Sequence, residues 1–307
     1  MNFRRNEFDV TNRINTTDPV CVKLEIVRIY RSLYARPDPP ALIQAFDDIV
    51  RMYRGDYPGY LKCDTDYHDI QHIMDVSLAM ARLLDGYERS RGDGPELGER
   101  LFQLGVICAL FHDSGYLRRV GDRKHKRGAE YTAIHVTRGG KLLRDYLPNI
   151  GMDEFADVAP QIIHFTGYER PVASIKVRDP IFRLVGSLLG SADIIAQMAD
   201  RCYLEKCRDR LYPEFVDGGI AVKQNGKGKV VIFASADDLL RKTPNFYQGA
   251  QHRLDHDLGG AYRFAGAHFG GQNLYMDEVK KNIRFAERVS AEDVIPLKRK
   301  APDTNNT

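Results

Sequence analysis

Apolar positions recur along this chain mostly at helical spacing. After residue 68, Ile73, Val76, Met80 and Leu83 or Leu84 follow at intervals that put them on one helix face. The same rhythm predicts helices over 20–34 and 40–53, separated by Arg36-Pro37-Asp38-Pro39-Pro40, where the prolines stop the first and let the second begin. The loop 55–66 leads into the helix that carries His68 and His72, with Asp64, Thr65 or Asp66 as candidate N-caps. Further helices are expected over 101–112, 128–146, 154–164, 180–200 and 203–215, then 236–241, 247–268 and 273–289. Only 220–222 and 230–233 read as strands. They are joined through Asn225-Gly226, a strong hairpin signal between β-branched runs. The fold class is therefore mainly α, a helical bundle with one small β-hairpin.

Composition narrows the class. At 307 residues the chain suits one large domain or a domain with an appendage, and 43% hydrophobic with 28% charged residues is ordinary for a globular protein. A net charge of +3 is too small to suggest nucleic-acid or membrane binding. The five cysteines form no CxxC pair and cannot all pair within the chain, so a reduced, cytoplasmic setting is expected. The N-terminus shows no apolar signal region. Residues 1–19 read as a flexible lead-in and 293–307 as a disordered tail.

Chemistry enters where apolar helices are interrupted by ligand-type side chains. The run from Leu101 to Phe111 ends in His112-Asp113-Ser114-Gly115. Upstream, His68, His72 and Asp75 are spaced to share one helix face, and downstream Asp193 interrupts an apolar segment. Buried imidazoles and carboxylates are costly unless paired or bound to metal, so three such intrusions suggest one shared cation. His252 and His256 are also four apart, but no partner motif surrounds them and they read as a solvated face.

The order of His72, then His112-Asp113, then Asp193 resembles the HD superfamily of metal-dependent phosphohydrolases, over roughly residues 60 to 215. Tyr67-His68-x-x-x-His72-x-x-Asp75-Val76 is similar to the signature helix of cyclic nucleotide phosphodiesterases, and His125-x-x-Gly128-Ala129-Glu130 and Ile162-Ile163-His164 resemble two further histidine positions of binuclear HD enzymes. The chain departs from these patterns at His68-Asp69, where those phosphodiesterases carry His-Asn, and it lacks a Gly-Tyr-Pro motif. The resemblance implies an HD-type domain over 20–216, followed by a hairpin and helical extension over 217–292.

It also implies a division of labour. His72, His112, Asp113 and Asp193 would bind a first metal. Asp113 would bridge to a second, completed by His125 and His164, and His68 would protonate the leaving alkoxide after attack by metal-activated water. His135 is a rival to His125, and His164 has an alternative as a satisfied core histidine. Imidazole and carboxylate donors favour Zn, Fe, Mn, Co or Ni, with Mg possible at a second site. The expected substrate is a small anionic phosphoester of nucleotide type, with Lys124, Lys126, Arg127 and Tyr116 as candidate contacts. Two other readings share these ligands, a diiron oxygenase and a nucleotide-sensing module without turnover. A homo-oligomer is compatible with all three.

Overall fold

The computed structural model describes residues 4–35, 38–225, 228–291 and 297–303. It is a mainly α structure with one two-stranded antiparallel hairpin. The helices are α1 (Pro19–Leu33), α2 (Pro40–Arg54), α3 (Ile70–Ser90), α4 (Gly98–Phe111), α5 (His135–Tyr146), α6 (Ala159–Ile163) and α7 (Pro180–Ala199). Then come α8 (Tyr203–Lys206) and α9 (Tyr212–Asp217), β1 (Val222–Asn225), β2 (Gly228–Val231), α10 (Ala236–His252), α11 (Phe264–His268) and α12 (Leu274–Ser290).

Local chemistry sets the helix starts. Asp18 accepts from the Val20 amide at 2.9 Å ahead of Pro19 in the first turn of α1, and Asn273 accepts from the Met276 amide at the start of α12. Asp69 caps α3 by accepting from the His72 amide at 2.9 Å, so His68 lies one residue before the cap. The expected caps at 64–66 are thus replaced, and His68 is held by the turn in which Thr65 Oγ1 donates to its carbonyl at 2.9 Å.

Helix α3 is the centre of the bundle and is buried on nearly every side, packing against α1, α4, α7 and α11. Its approach to α11 requires Gly86, where a Cβ would stand 1.8 Å from the Phe264 carbonyl oxygen. Helix α7 is apolar and long enough to cross a membrane, yet 67% of that stretch is buried inside the protein. It packs against α3, α4, α6 and α12. The described residues share one hydrophobic cluster that runs from Val22 through Phe111 and Leu188 to Leu240 and Ile283. The extension after residue 217 therefore completes the same core.

Several expected boundaries move. The helix expected over 128–146 is split into a 3-10 turn, Gly128–Tyr131, and α5, with His135 at the break. The strands lie closer to the turn than expected, with Val222 opposite Val231 and Asn225 opposite Gly228, while Gly226 and the Arg36-Pro37 break fall outside the described residues. Helix α10 runs on through Pro244 because one buried stripe, Leu239, Leu240, Thr243 and Ala250, carries across it onto α12.

The lead-in expected to be flexible is held instead. The Asp9 carboxylate is buried and pairs with Arg82 on α3, and Asn6 donates to the Lys300 carbonyl at 3.0 Å. The described part of the tail is held as well, since the Arg299 amide donates to Glu205 and its guanidinium to the Arg201 carbonyl. Residues 293–296 and 304–307 of that tail lie outside the described residues. A buried pair and a row of main-chain hydrogen bonds supply the order that the polar composition of these segments hides.

Candidate metal centre

Three helix ends and the middle of a fourth helix converge on one point. His72 lies in the first turn of α3, His112 closes α4 with Asp113 next to it, Asp193 projects from the middle of α7, and His135 opens α5. The 3-10 turn Ser114–Tyr116 holds this junction against α5. It can do so because Gly115 has no side chain: a Cβ there would stand 1.8 Å from the His135 carbonyl oxygen. Gly115→Ala is expected to destabilise the fold by about 1–3 kcal/mol through overpacking. It should also weaken metal binding by displacing α5; metal titration of the folded variant checks this, and wild-type affinity would break the link.

The donor atoms face one another. His72 Nε2 is 3.2 Å from Asp113 Oδ2 and 3.5 Å from Asp193 Oδ1. His112 Nε2 is 3.1 Å from Asp113 Oδ2 and 3.9 Å from Asp193 Oδ1. Bonds of about 2.0–2.2 Å to a divalent ion put neighbouring ligand atoms about 3.0–3.6 Å apart, close to this spacing. The residues fit a cation by a second test. His112 Nδ1 lies 2.7 Å from the Ala109 carbonyl and donates to it, which leaves the buried Nε2, 3.1 Å from Asp113 Oδ2, as the ring atom that a cation can take in place of a proton. A buried imidazole nitrogen facing two carboxylates is a donor set that a cation can hold together.

Without a cation, the carboxylates hold a proton there. Burial works to lower the pKa of His112, but the adjacent Asp113 carboxylate overrides it and raises the value to about 9. Burial likewise opposes ionisation of Asp113, yet His112 and His72 keep its carboxyl well below the ordinary range. His112 and Asp113 thus form a buried ion pair at this point.

The two oxygens of Asp113 face different partners. Oδ2 meets His72 and His112, whereas Oδ1 lies 3.4 Å from His135 Nε2. His135 Nδ1 is tied to the Thr132 carbonyl at 2.6 Å, the same arrangement that aims His112. The expectation for His125 is therefore corrected. Its ring sits in the basic loop, 3.2 Å from Glu130 and edge-on to Tyr131, and its rival His135 stands beside Asp113. The break between the 3-10 turn and α5 decides this, because it swings His135 inward. His164 is buried, but both ring nitrogens are engaged: Nδ1 by Glu169 and Nε2 by Arg170 at 3.0 Å.

His68 is held by a buried carboxylate. Its Nδ1 lies 2.6 Å from Glu214 Oε2, and Glu214 also accepts from the Tyr67 and His68 amides. Burial disfavours the charged ring, but Glu214 outweighs it, and the pKa rises to about 8. Tyr116 is sandwiched between His68 and His135, with ring centroids 4.5 and 4.4 Å away. Its ring walls the site and is almost wholly buried.

Sequence reasoning missed Glu214. It lies 146 residues beyond His68 and no local pattern marks it. It is carried on α9, which continues from α8 through the widened turn Cys207–Leu211; such π-type turns often occur at functional sites. Asp75 also departs from expectation. It lines a small polar cavity with Arg4, Asp9 and Asp200 rather than joining His72 at the cluster.

The basic loop contributes less than expected. Arg127 pairs with Asp217 at 3.3 Å and donates to the Asp64 carbonyl, while Lys124 and Lys126 lie exposed on the loop. Of the four candidate substrate contacts, only Tyr116 stands among the clustered side chains. No protein-family model matches the chain, and no curated protein or solved structure matches it either.

Proposed function

We propose that this protein is a metal-dependent phosphohydrolase of the HD type, acting as a phosphodiesterase on a small nucleotide-type phosphoester. One observation carries the reading: the buried His112 Nε2 faces Asp113 and Asp193 alongside His72, at separations suited to one divalent cation. His72, His112, Asp113 and Asp193 would hold that ion, and His135 with the second oxygen of Asp113 offers a place beside it for another. A bound divalent ion supplies a Lewis acid for a phosphoryl oxygen and makes water acidic enough to act as nucleophile near neutral pH.

The chain's own residues supply the rest. Glu214 fixes the His68 ring through Nδ1 and keeps it protonated at neutral pH, which leaves Nε2 to donate a proton to a departing alkoxide. Tyr116 and Tyr67 flank the ring and restrict water around it. Glu214→Gln removes the charge that holds the proton but keeps the shape. It is expected to retain metal and to lose roughly 10–100-fold in turnover, the scale of an outer-sphere partner. Steady-state kinetics on metal-loaded protein check this, and unchanged turnover would remove Glu214 from the mechanism.

The function is tested by elemental analysis paired with hydrolysis of bis(p-nitrophenyl) phosphate in added Mn, Ni, Co or Zn. Bound metal with chelator-sensitive hydrolysis is the expected result. Two irons with oxygen consumption and no ester cleavage would replace the hydrolase by an oxygenase, and protein that neither binds nor is rescued by metal would overturn the reading.

A further inference from the structure

Beyond the C-terminal end of α7, a groove of about 940 Å³ opens between α12, the N-terminal arm and the described part of the C-terminal segment. Six cationic side chains line it: Arg4, Arg201, Lys281, Arg284, Arg288 and Arg299. Only two carboxylates do so, Glu278 and Glu287, and Glu278 is already shared by Arg4 at 3.2 Å and Lys281 at 2.6 Å. Among the described residues, no carboxylate comes within ion-pair reach of the guanidinium of Arg201, Arg284, Arg288 or Arg299. In a chain whose net charge is only +3, this is a local concentration of cations with few counter-charges among the described residues.

The arginines are held in place despite their repulsion. Arg201 Nε donates to Asn6 at 2.9 Å, and the Arg299 guanidinium donates to the Arg201 carbonyl. Arg288 and Arg299 both lie over the Phe285 ring, 5.5 and 5.9 Å from its centroid. Arg4 is mostly buried, and its Nε makes no hydrogen bond. Burial first, and then the neighbouring Arg299 and Arg4 charges, lower the pKa of Arg201.

We propose that this groove binds a small ligand carrying several phosphate groups, such as a nucleoside triphosphate, at a site separate from the metal centre. Guanidinium groups match phosphate oxygens two at a time, and several converging on one concavity favour a multiply charged ligand over a single phosphate. Asp193 lies six residues before Ala199, a rise of roughly 9 Å, and the groove opens beyond that end of α7 and shares no lining residue with the metal centre. The N-terminal arm, α12 and the C-terminal segment all border the groove, so occupancy links both ends of the chain to the bundle.

Calorimetric titration of the full chain with inorganic tripolyphosphate and with ATP, in EDTA to silence the metal centre, tests the site. One site per chain is expected, weakened by added salt and by at least tenfold in an Arg284→Gln/Arg288→Gln double variant. Both residues are exposed, so the variant should keep the wild-type circular dichroism spectrum. Arg201→Gln should weaken binding on its own if either exposed change disturbs the fold. Equal binding of the two ligands assigns recognition to the phosphates, and tighter ATP binding adds the nucleoside; either supports the site. No binding of either ligand, or affinity unchanged in both variants, overturns it. Tighter binding of single-stranded RNA through the same arginines would overturn the small-ligand assignment.

Discussion

Asp113→Ala is expected to abolish metal binding and phosphodiester hydrolysis together, whereas His68→Ala keeps the metal and loses about 10²–10⁴-fold in turnover, the range for a positioned acid. The difference follows from where each side chain stands. Asp113 Oδ2 meets both His72 and His112, and its Oδ1 faces His135, so its removal takes a carboxylate partner from every imidazole of the cluster. It also leaves the buried His112 ring without the carboxylate that holds it charged. His68 lies outside that set, tied to Glu214 and stacked on Tyr116, and alanine there opens space without removing a ligand. Metal content by mass spectrometry and hydrolysis of bis(p-nitrophenyl) phosphate separate the two. Full turnover in His68→Ala would end its role as acid, and normal metal content in Asp113→Ala would end the proposed centre.

Arg82→Ala is expected to cost about 3–5 kcal/mol of stability, the scale for breaking a buried ion pair by removing one partner. Arg82 is 1% exposed in the middle of α3, with Nη2 2.5 Å from Asp9 and Nη1 2.9 Å from the Tyr275 hydroxyl on α12. One side chain thus fastens the N-terminal arm and the last helix to the central one. Deleting it strands the Asp9 carboxylate where water cannot reach it, unlike an exposed pair such as Arg31 with Asp38, which contributes little. Urea unfolding measures the effect as a lowered midpoint at unchanged slope. A change within experimental error would show that the arm is not fastened by this pair.

The sign of its pH dependence follows from Asp9. Burial pushes the Asp9 carboxyl up, but Arg82, the Ile14 amide and Thr11 hold it below its ordinary value. A carboxyl depressed on folding contributes stability above the unfolded pKa and loses it as pH falls through the lower folded value. The wild type should therefore lose this contribution only below about pH 4. Asp9→Asn should be weaker already at neutral pH and lack that acid-dependent step.

Much of the site was legible in the sequence. An apolar run that ends in His112-Asp113, and a carboxylate at 193 within another apolar helix, are local anomalies, and burial turns each into a chemical requirement. The structure brings His72, His112, Asp113 and Asp193 together, and the mainly α fold with its single hairpin follows from hydrophobic spacing that is itself local. Turn chemistry was partly legible: a helix near residue 70 was expected, but the choice of Asp69 over Asp64, Thr65 or Asp66 as its cap was not.

Tertiary packing decided what depends on residues distant in the chain. His135 rather than His125 reaches Asp113 because Gly115 lets the turn after Asp113 press against α5, and neither histidine carries that information in its neighbours. Glu214 finds His68 across 146 residues through a widened helical turn. Asp9 and Arg82 convert an apparently polar lead-in into part of the core. Hydrophobic periodicity reports which face of an element is buried, whereas the pairing of polar side chains depends on how those faces dock, and docking is a property of the whole chain.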